Sequence, residues 1–127
     1  MTETAPRVSV VVCTRNRSSR LGDGCEALLG VTPPAGGWEV VIVDNASTDD
    51  TRAVADRLQQ GAGGLVRVVE ERAIGLSAAR NRGIAESRGE LVAFLDDDAF
   101  PQAAWLDALA TSLGGDRVLA SGWPFDP

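Results

Sequence analysis

Short runs of apolar, mostly β-branched residues alternate along this chain with stretches in which apolar positions recur at helical spacing. The apolar run in "RVSVVVC" is continuous, which is typical of a strand that is covered on both faces. The runs predict strands at residues 7–13, 38–44, 65–69 and 90–95, and the start of a fifth strand at 117–121.

Stretches with helical spacing fill the intervals between these strands. In the second helix, "STDD" offers Ser47 or Thr48 as the N-cap, and acidic residues suit the first turn. In the third helix, Gly89 is predicted to be the C′ residue. The predicted helices cover residues 18–29 (weakened by Gly22 and Gly24), from about 47 to the glycines at 61–64, 77–87 and 102–113.

This alternation predicts an α/β fold with a mostly parallel sheet flanked by helices on both faces. The 127 residues, 44% of them hydrophobic, can build one core, so residues 1–127 are predicted to form a single domain. Polar clusters follow the first four strands: "TRNR", "DNASTD", "ERAIG" and "DDD". Because the carboxyl ends of parallel strands share one edge where ligands bind, this coincidence is the main functional signal.

The stretch "LVAFLDDDAFP" places three consecutive aspartates after a buried strand. If extended geometry persists, Asp96 and Asp98 point one way and Asp97 the other. Carboxylate oxygens without histidine or cysteine suit Mg²⁺ or Mn²⁺, which keep coordination positions for substrate phosphates. A solvated acidic turn, or an N-cap cluster for the next helix, is the alternative.

Asp44 ends the second predicted strand, where an acidic residue can accept a hydrogen bond from a ribose or a base N–H. A turn stabilised by the Asp44 side chain is the alternative, since "DNAS" has turn composition. A dinucleotide-binding fold would need glycines after the first strand, and "CTRNRSS" has none. The chain also lacks the GxxxxGK[ST] motif of P-loop proteins.

Three arginines, Arg72, Arg80 and Arg82, lie in the loop after the third strand and in the following helix. Arg80 and Arg82 cannot share a helix face, so at most one of them is expected at the ligand edge. There a guanidinium would offset the charge of a diphosphate through forked hydrogen bonds. Surface salt bridges are the alternative for each of them.

Composition excludes several classes of function. A net charge of −6 argues against a nucleic-acid partner. Histidine is absent, so a histidine-based zinc site is excluded and acid–base chemistry would fall mainly to Asp and Glu.

The two cysteines form no disulfide framework, and Cys13 is predicted to be a small buried thiol. The N-terminus resembles neither a signal peptide nor a membrane span, so we expect a cytoplasmic protein, with peripheral association at the inner face of a membrane left open.

Four segments, "VSVVVCTRNR", "VVIVDNASTDDT", "GLSAARNRGI" and "ELVAFLDDDAFP", together resemble the N-terminal half of family 2 glycosyltransferases. That family has the A-type (GT-A) nucleotide-sugar-binding fold. The resemblance covers about residues 7–113, and four motifs in the family's order and spacing are highly specific.

The resemblance implies a donor nucleotide site. Thr14 and Arg15 follow the first strand, where the family contacts the nucleotide base. Asp44 matches the aspartate that hydrogen-bonds the base, and Arg80 matches the arginine near the nucleotide or its phosphates.

The resemblance also implies a metal site, since the three aspartates correspond to the DXD motif. Asp98 would be the direct ligand of Mg²⁺ or Mn²⁺, with Asp96 and Asp97 near the ribose and the water shell of the metal. In the family the metal bridges the diphosphate and stabilises the departing nucleotide.

Three features depart from the family pattern. Arg15 stands where the family often has an aromatic residue, although a guanidinium can also stack on a base. Ala73 stands where asparagine is frequent, two residues before Gly75. The chain ends at Pro127, before the acceptor-binding half with its general base. We therefore expect a truncated enzyme that binds a nucleotide diphosphate weakly and lacks transferase activity alone.

The function implied by the resemblance is metal-dependent, inverting transfer of a sugar from a nucleotide-diphospho-sugar to an unidentified glycan, lipid or small-molecule acceptor. A non-catalytic nucleotide-sugar-binding or assembly module is the alternative. A nucleotidyltransferase would usually carry a glycine-rich phosphate loop, which is absent after the first strand. Unfinished sheet edges leave self-association open.

Overall fold

The computed structural model describes residues 5–113 and 119–121, in which strands and helices alternate. The strands are β1 (Val8–Thr14), β2 (Trp38–Asp44), β3 (Val66–Glu70), β4 (Leu91–Asp96) and β5 (Leu119–Ser121). The helices are α1 (Ser18–Leu29), α2 (Thr51–Gly61), α3 (Leu76–Glu86) and α4 (Trp105–Leu113). Within these residues, no helix has both the length and the apolar character needed to cross a bilayer.

The described strands form one sheet in the order β3-β2-β1-β4-β5, and every neighbouring pair is parallel. The chain moves outward from β1 through β2 to β3 and then crosses to β4 on the other side of β1, so the strand order reverses there. The register aligns Thr14 with Asp44 and Cys13 with Asp96. The carboxyl ends of β1, β2 and β4 therefore lie side by side, at the place where open α/β sheets bind ligands.

The central strand β1 is buried on both faces, as its continuous apolar run predicts. Val10 belongs to a core layer that contains Leu21 of α1 and Leu106 of α4. Val11 belongs to the opposite layer, which contains Ala79 of α3. Since successive strand residues point to opposite faces, each valine contributes to one layer. The prediction of a parallel sheet with helices on both faces is confirmed.

The second helix begins later than predicted, because α2 starts at Thr51 and neither Ser47 nor Thr48 caps it. Instead, Oγ of Ser47 accepts a hydrogen bond from the backbone N–H of Asn16 at 3.0 Å. The backbone N–H of Thr48 donates to Oδ1 of Asn16 at 2.8 Å. The two residues thus join the β2–α2 loop to the β1–α1 loop, a long-range role that local composition does not show.

The prediction for Gly89 is wrong, because α3 ends at Glu86 and Ser87 is already extended. A Cβ on Gly89 would lie 2.7 Å from the backbone nitrogen of Ser9, so glycine is needed there for close approach to β1. α4 begins at Trp105 instead of residue 102. Of the predicted fifth strand, residues 117 and 118 lie outside the described part, and the remainder pairs in parallel with β4.

A buried ion cluster around Glu39 holds the amino end of the sheet. Glu39 is only 5% exposed, and its carboxylate accepts hydrogen bonds from Oγ of Ser9 at 2.6 Å and the backbone N–H of Arg88 at 2.8 Å. The guanidinium of Arg67 lies 3.1 Å from the same carboxylate. Burial alone would raise the pKa of Glu39, but these hydrogen bonds and the Arg67 charge outweigh it and hold the pKa below its usual value.

Candidate donor site

The carboxyl edge of the sheet gathers most of the predicted site residues. Three strands, β1, β2 and β4, end beside one another there because their registers align. The predicted residues that end these strands or directly follow them are Thr14, Arg15, Asp44, Asp96, Asp97 and Asp98.

The three aspartates form a turn instead of continuing the strand. β4 ends at Asp96, and the backbone N–H of Ala99 donates to the carbonyl oxygen of Asp96 at 3.1 Å. The extended geometry assumed for Asp96, Asp97 and Asp98 therefore ends at Asp96. Asp97 still lies on the opposite side from Asp96 and Asp98, because it is turned inward while the other two are exposed. We call residues 96–99 the acidic turn.

Asp97 is the inward-facing member of the acidic turn. Its Oδ2 accepts a hydrogen bond of 2.9 Å from Oγ1 of Thr14 and lies 3.9 Å from Nε of Arg17. Burial raises the pKa of Asp97 above its ordinary value, while the Thr14 hydrogen bond and the Arg17 charge act in the opposite direction. Asp97 therefore attaches the acidic turn to the end of β1.

Helix α1 supports the acidic turn from behind. A Cβ on Gly24 would lie 2.6 Å from the carbonyl oxygen of Asp97, closer than side-chain carbons come to such atoms. Gly24 weakened the predicted helix by its propensity, yet it allows α1 to lie directly against the turn. No signal in the local sequence separates Gly24 from Gly22, where a Cβ would meet only Val54 at 3.9 Å.

Asp96 and Asp98 are the exposed carboxylates of the acidic turn. Neither carboxylate forms an ion pair or a side-chain hydrogen bond with any of the described residues, which are 5–113 and 119–121. Among the described residues, no three His, Cys, Asp or Glu side chains enclose a metal position. Mg²⁺ and Mn²⁺ favour oxygen donors, and Mg²⁺ is usually bound by one or two carboxylates together with waters and substrate phosphates. The donors of this open edge fit such an ion.

Asp44 is buried, with 3% of its surface exposed. Its Oδ1 accepts a hydrogen bond of 3.3 Å from the backbone N–H of Ser47, so the turn considered as the alternative for this residue is present. The carbonyl oxygen of Asp44 accepts the N–H of Glu71 at 3.0 Å. Asp44 thus stabilises the β2–α2 loop. It is also the residue to which the family resemblance assigns base recognition.

Asn45 is a site residue that the sequence reasoning missed. It is 5% exposed, and its Nδ2 donates to the carbonyl oxygens of Glu71 at 2.9 Å and Ala73 at 2.8 Å. Its Oδ1 accepts the backbone N–H of Gly75 at 2.9 Å. The asparagine in "DNAS" was interpreted only as turn composition, and the loop it holds lies about thirty residues further along the chain. Because Ala73 is bound through its backbone, its departure from the family pattern leaves this contact intact.

A cavity of about 210 Å³ opens at the ends of β1 and β2. Two apolar side chains line it: Ile74 of the β3–α3 loop, which is 67% exposed, and Leu76, the first residue of α3, which is 55% exposed. The cavity is also lined by Cys13, Thr14, Arg15 and Asn45. A mostly apolar cavity with a few polar groups at its edge suits a flat ring that carries hydrogen-bonding groups.

Arg80 and Arg82 point to different partners, as their spacing predicts. The guanidinium carbon of Arg80 lies 5.7 Å from the centre of the Phe94 ring, and within the described residues Arg80 makes no ion pair. Arg82 is paired with Glu71 at 3.3 Å, and Arg72 with Glu70 at 3.0 Å. Of the three arginines, Arg80 is the one whose charge is left for a ligand.

Cys13 is only partly buried and lines the cavity, so the prediction of a buried thiol is wrong. Burial nevertheless raises its pKa to about 11, and that of the buried Cys25 to about 12. Both thiols are therefore protonated at neutral pH, which argues against a nucleophilic cysteine.

Sequence comparisons match this chain to a known protein family. The profile of the family described as glycosyl transferase family 2 matches residues 9–125. Glycosyltransferase AglE of Haloferax volcanii is 35% identical over 118 residues, which cover 93% of this chain and 39% of that protein. The putative teichuronic acid biosynthesis glycosyltransferase TuaG of Bacillus subtilis is 34% identical over 98 residues, which cover 77% of this chain and 38% of that protein.

Solved structures show the same fold. The mannosyltransferase PcManGT from Pyrobaculum calidifontis, in complex with GDP-Man and Mn²⁺, superposes with a TM-score of 0.74 at 32% identity, over 87% of this chain and 32% of that chain. TarS from S. aureus, in complex with UDP-GlcNAc, gives a TM-score of 0.70 at 26% identity, over 83% of this chain and 30% of that chain. This chain spans about two fifths or less of the proteins compared. Its parallel sheet has the GT-A arrangement, and the chain belongs to glycosyl transferase family 2.

Proposed function

We propose that this chain is the donor-binding part of a metal-dependent, inverting glycosyltransferase that uses a nucleotide-diphospho-sugar. The observation that carries the proposal is the position of two exposed carboxylates, Asp96 and Asp98, at the same sheet edge as the largely apolar cavity. The hydrogen bond between Thr14 and Asp97 joins these two features. One edge thus offers a place for a base and a place for a metal-bound diphosphate.

The cavity is assigned to the base and ribose of the donor. Thr14 and Arg15 line it, and the exposed guanidinium of Arg15 can stack on a ring. Asp44 is assigned to base recognition through the carboxylate oxygen that Ser47 does not occupy. Arg80 is assigned to the phosphates because it lies at the β4 side of the edge without a carboxylate partner among the described residues.

The acidic turn is assigned to a divalent cation, with Asp98 as direct ligand and Asp96 and Asp97 near the ribose and the bound waters. A bound Mg²⁺ or Mn²⁺ would offset the negative charge that develops on the departing nucleoside diphosphate. The mannosyltransferase with GDP-Man and Mn²⁺ and TarS with UDP-GlcNAc support a donor of this class, although their bases differ. No described residue is assigned as the general base, and we place the protein in the cytoplasm.

Calorimetric titration of the chain with UDP, GDP and dTDP, with and without Mn²⁺, tests this proposal. At least one nucleotide should bind measurably, and its affinity, although weak, should be higher with the metal than without it. Asp98→Ala should weaken that binding about tenfold or more, since one of few charged ligands is lost. Asp56→Ala, which removes a half-exposed carboxylate paired with Arg52 on α2, is the control away from the sheet edge. Absence of metal-dependent binding to the wild-type chain, or equal binding to Asp98→Ala, would overturn the donor-site assignment.

A further inference from the structure

Asn45 has every hydrogen-bonding group of its side chain occupied by a single loop. Both hydrogens of Nδ2 are used, one by the carbonyl oxygen of Glu71 and one by that of Ala73. Oδ1 accepts from Gly75, and the backbone N–H of Asn45 donates to the carbonyl oxygen of Thr14 at 2.9 Å. The residue therefore connects the end of β1 to the β3–α3 loop.

The chemistry of these partners requires an amide. Two carbonyl oxygens can only accept, and the N–H of Gly75 can only donate, so the partner must supply two donors and one acceptor. A carboxylate of the same shape supplies the acceptor but turns an oxygen toward the carbonyls of Glu71 and Ala73. An ionised aspartate therefore cannot replace the buried amide of Asn45 at this position.

Besides Asn45, the loop is bonded at its start, where the N–H of Glu71 donates to the Asp44 carbonyl, and at its end, where the N–H of Ala79 donates to the Gly75 carbonyl. Gly75 has φ of 143°, a conformation that favours glycine, and a Cβ placed on it would meet no atom within 4 Å. No neighbouring segment therefore packs against the side of Gly75 on which a side chain would lie. The flanking side chains, Ile74 and Leu76, are exposed, yet they form one wall of the cavity.

We infer that Asn45 is a positioning residue for the nucleoside part of the donor, and that it acts by holding Ile74 and Leu76 as the cavity wall. The inference deepens the proposed function and rests on it. Asn45 offers no free N–H donor to the ligand, since both hydrogens of Nδ2 are used internally, and its Oδ1 already accepts from Gly75. Its effect should therefore be confined to the ring-binding cavity and should not reach the acidic turn.

Asn45→Asp tests this inference with two probes, because only one of them needs the wall. For the nucleotide that binds the wild-type chain among UDP, GDP and dTDP, affinity with Mn²⁺ should fall about tenfold or more. Affinity for inorganic pyrophosphate with Mn²⁺ should stay within about twofold, since that probe has no ring. Gln60→Glu makes the same chemical change at an exposed position of α2 and should alter neither affinity.

Acidic pH should partly reverse the effect of Asn45→Asp. The introduced carboxyl would be buried against two carbonyl oxygens, so its pKa should be raised, and its protonated form can again donate one hydrogen bond. The nucleotide affinity of Asn45→Asp relative to wild type should therefore be higher at about pH 5.5 than at about pH 8.

Ile74→Ala with Leu76→Ala is the second variant, and its exposed positions should leave the fold intact. It should weaken nucleotide binding and spare pyrophosphate, and adding Asn45→Asp should cause less further loss than in the wild-type background. Nucleotide binding that survives Asn45→Asp within about twofold, or an equal loss of both probes, would overturn the inference alone. Failure of the wild-type chain to bind any nucleotide would overturn the proposed function, and the inference with it.

Discussion

Oγ1 of Thr14 donates a 2.9 Å hydrogen bond to Oδ2 of Asp97, so the last residue of β1 holds the turn that follows β4. Thr14 is itself buried and contributes its carbonyl oxygen to Asn45. One residue at the centre of the sheet is therefore bonded both to the loop that reaches the cavity wall and to the acidic turn. Disturbing it should affect stability and binding together.

Thr14→Val should remove the hydrogen bond while keeping the shape of the side chain. The Asp97 carboxylate would then be partly buried without its neutral donor, and the free energy of unfolding should fall by about 1.5 to 3 kcal/mol. Metal-dependent nucleotide affinity should fall as well, because the acidic turn is less firmly placed. Urea denaturation and calorimetry measure the two effects. Thr14→Ser keeps the hydroxyl and should behave nearly as wild type, and an unchanged Thr14→Val would show that Asp97 finds another partner.

Two glycines of α1 offer a matched pair of substitutions. Gly22→Ala should raise the free energy of unfolding by up to about 1 kcal/mol, because alanine favours helix and its Cβ has room. Gly24→Ala should lower it instead, because the new Cβ collides with the Asp97 carbonyl oxygen. Denaturation of both variants, together with nucleotide titration, checks the contrast. Stabilisation by Gly24→Ala without loss of binding would mean that α1 does not support the acidic turn.

The ion cluster at Glu39 predicts a pH-dependent stability. The pKa of Glu39 in the folded chain lies below its unfolded value of about 4.3, so its stabilisation is present above that pH and is lost as the pH falls through the folded pKa. Glu39→Gln should lower the free energy of unfolding by about 3 kcal/mol at neutral pH, since Arg67 loses its buried partner. The difference from wild type should shrink below about pH 4. Denaturation at several pH values measures it, and the exposed Glu26→Gln should show no such trend.

Arg80→Gln should separate binding from stability. The contact between Arg80 and the Phe94 ring is at the surface, so its loss should cost no more than about 1 kcal/mol of unfolding free energy. Nucleotide diphosphate affinity should fall about fivefold to tenfold and should become less sensitive to added salt, because a charge near the phosphates is lost. Arg57→Gln on α2 makes the same change elsewhere. Equal salt dependence in wild type and Arg80→Gln would contradict the phosphate assignment.

The sheet was predictable from sequence because the signal is local. A continuous valine run such as that around Val11 has a strong strand preference and can only be buried on both faces. Helical spacing between such runs then favours parallel connections. The edge at which Asp44 and Asp96 end their strands, on either side of β1, follows from these two facts, since parallel strands all end on the same side.

The interior of the site was not predictable because its contacts are distant in sequence. Asp97 turns inward to meet Thr14, which lies 83 residues earlier. Asn45 looks like an ordinary turn residue until the β3–α3 loop is placed beside it. Gly24 and Gly89 look like helix-weakening and helix-ending residues, but both are required by close approach to another segment. Secondary-structure propensity, which depends on neighbouring residues only, does not reveal such long-range packing.

The exposed carboxylates of Asp96 and Asp98 also govern the approach of ligands from a distance. The chain carries a net charge of −6, and this edge adds two unpaired negative groups where a phosphate would arrive. Within about 10 Å, the screening length at moderate salt, these two carboxylates repel the phosphates of a nucleotide and attract a divalent cation, whereas the guanidinium of Arg80 acts on each in the opposite sense. If the acidic turn holds a cation as proposed, a cation that arrives before the nucleotide, or together with it, would remove the repulsion that these two carboxylates exert on the phosphates.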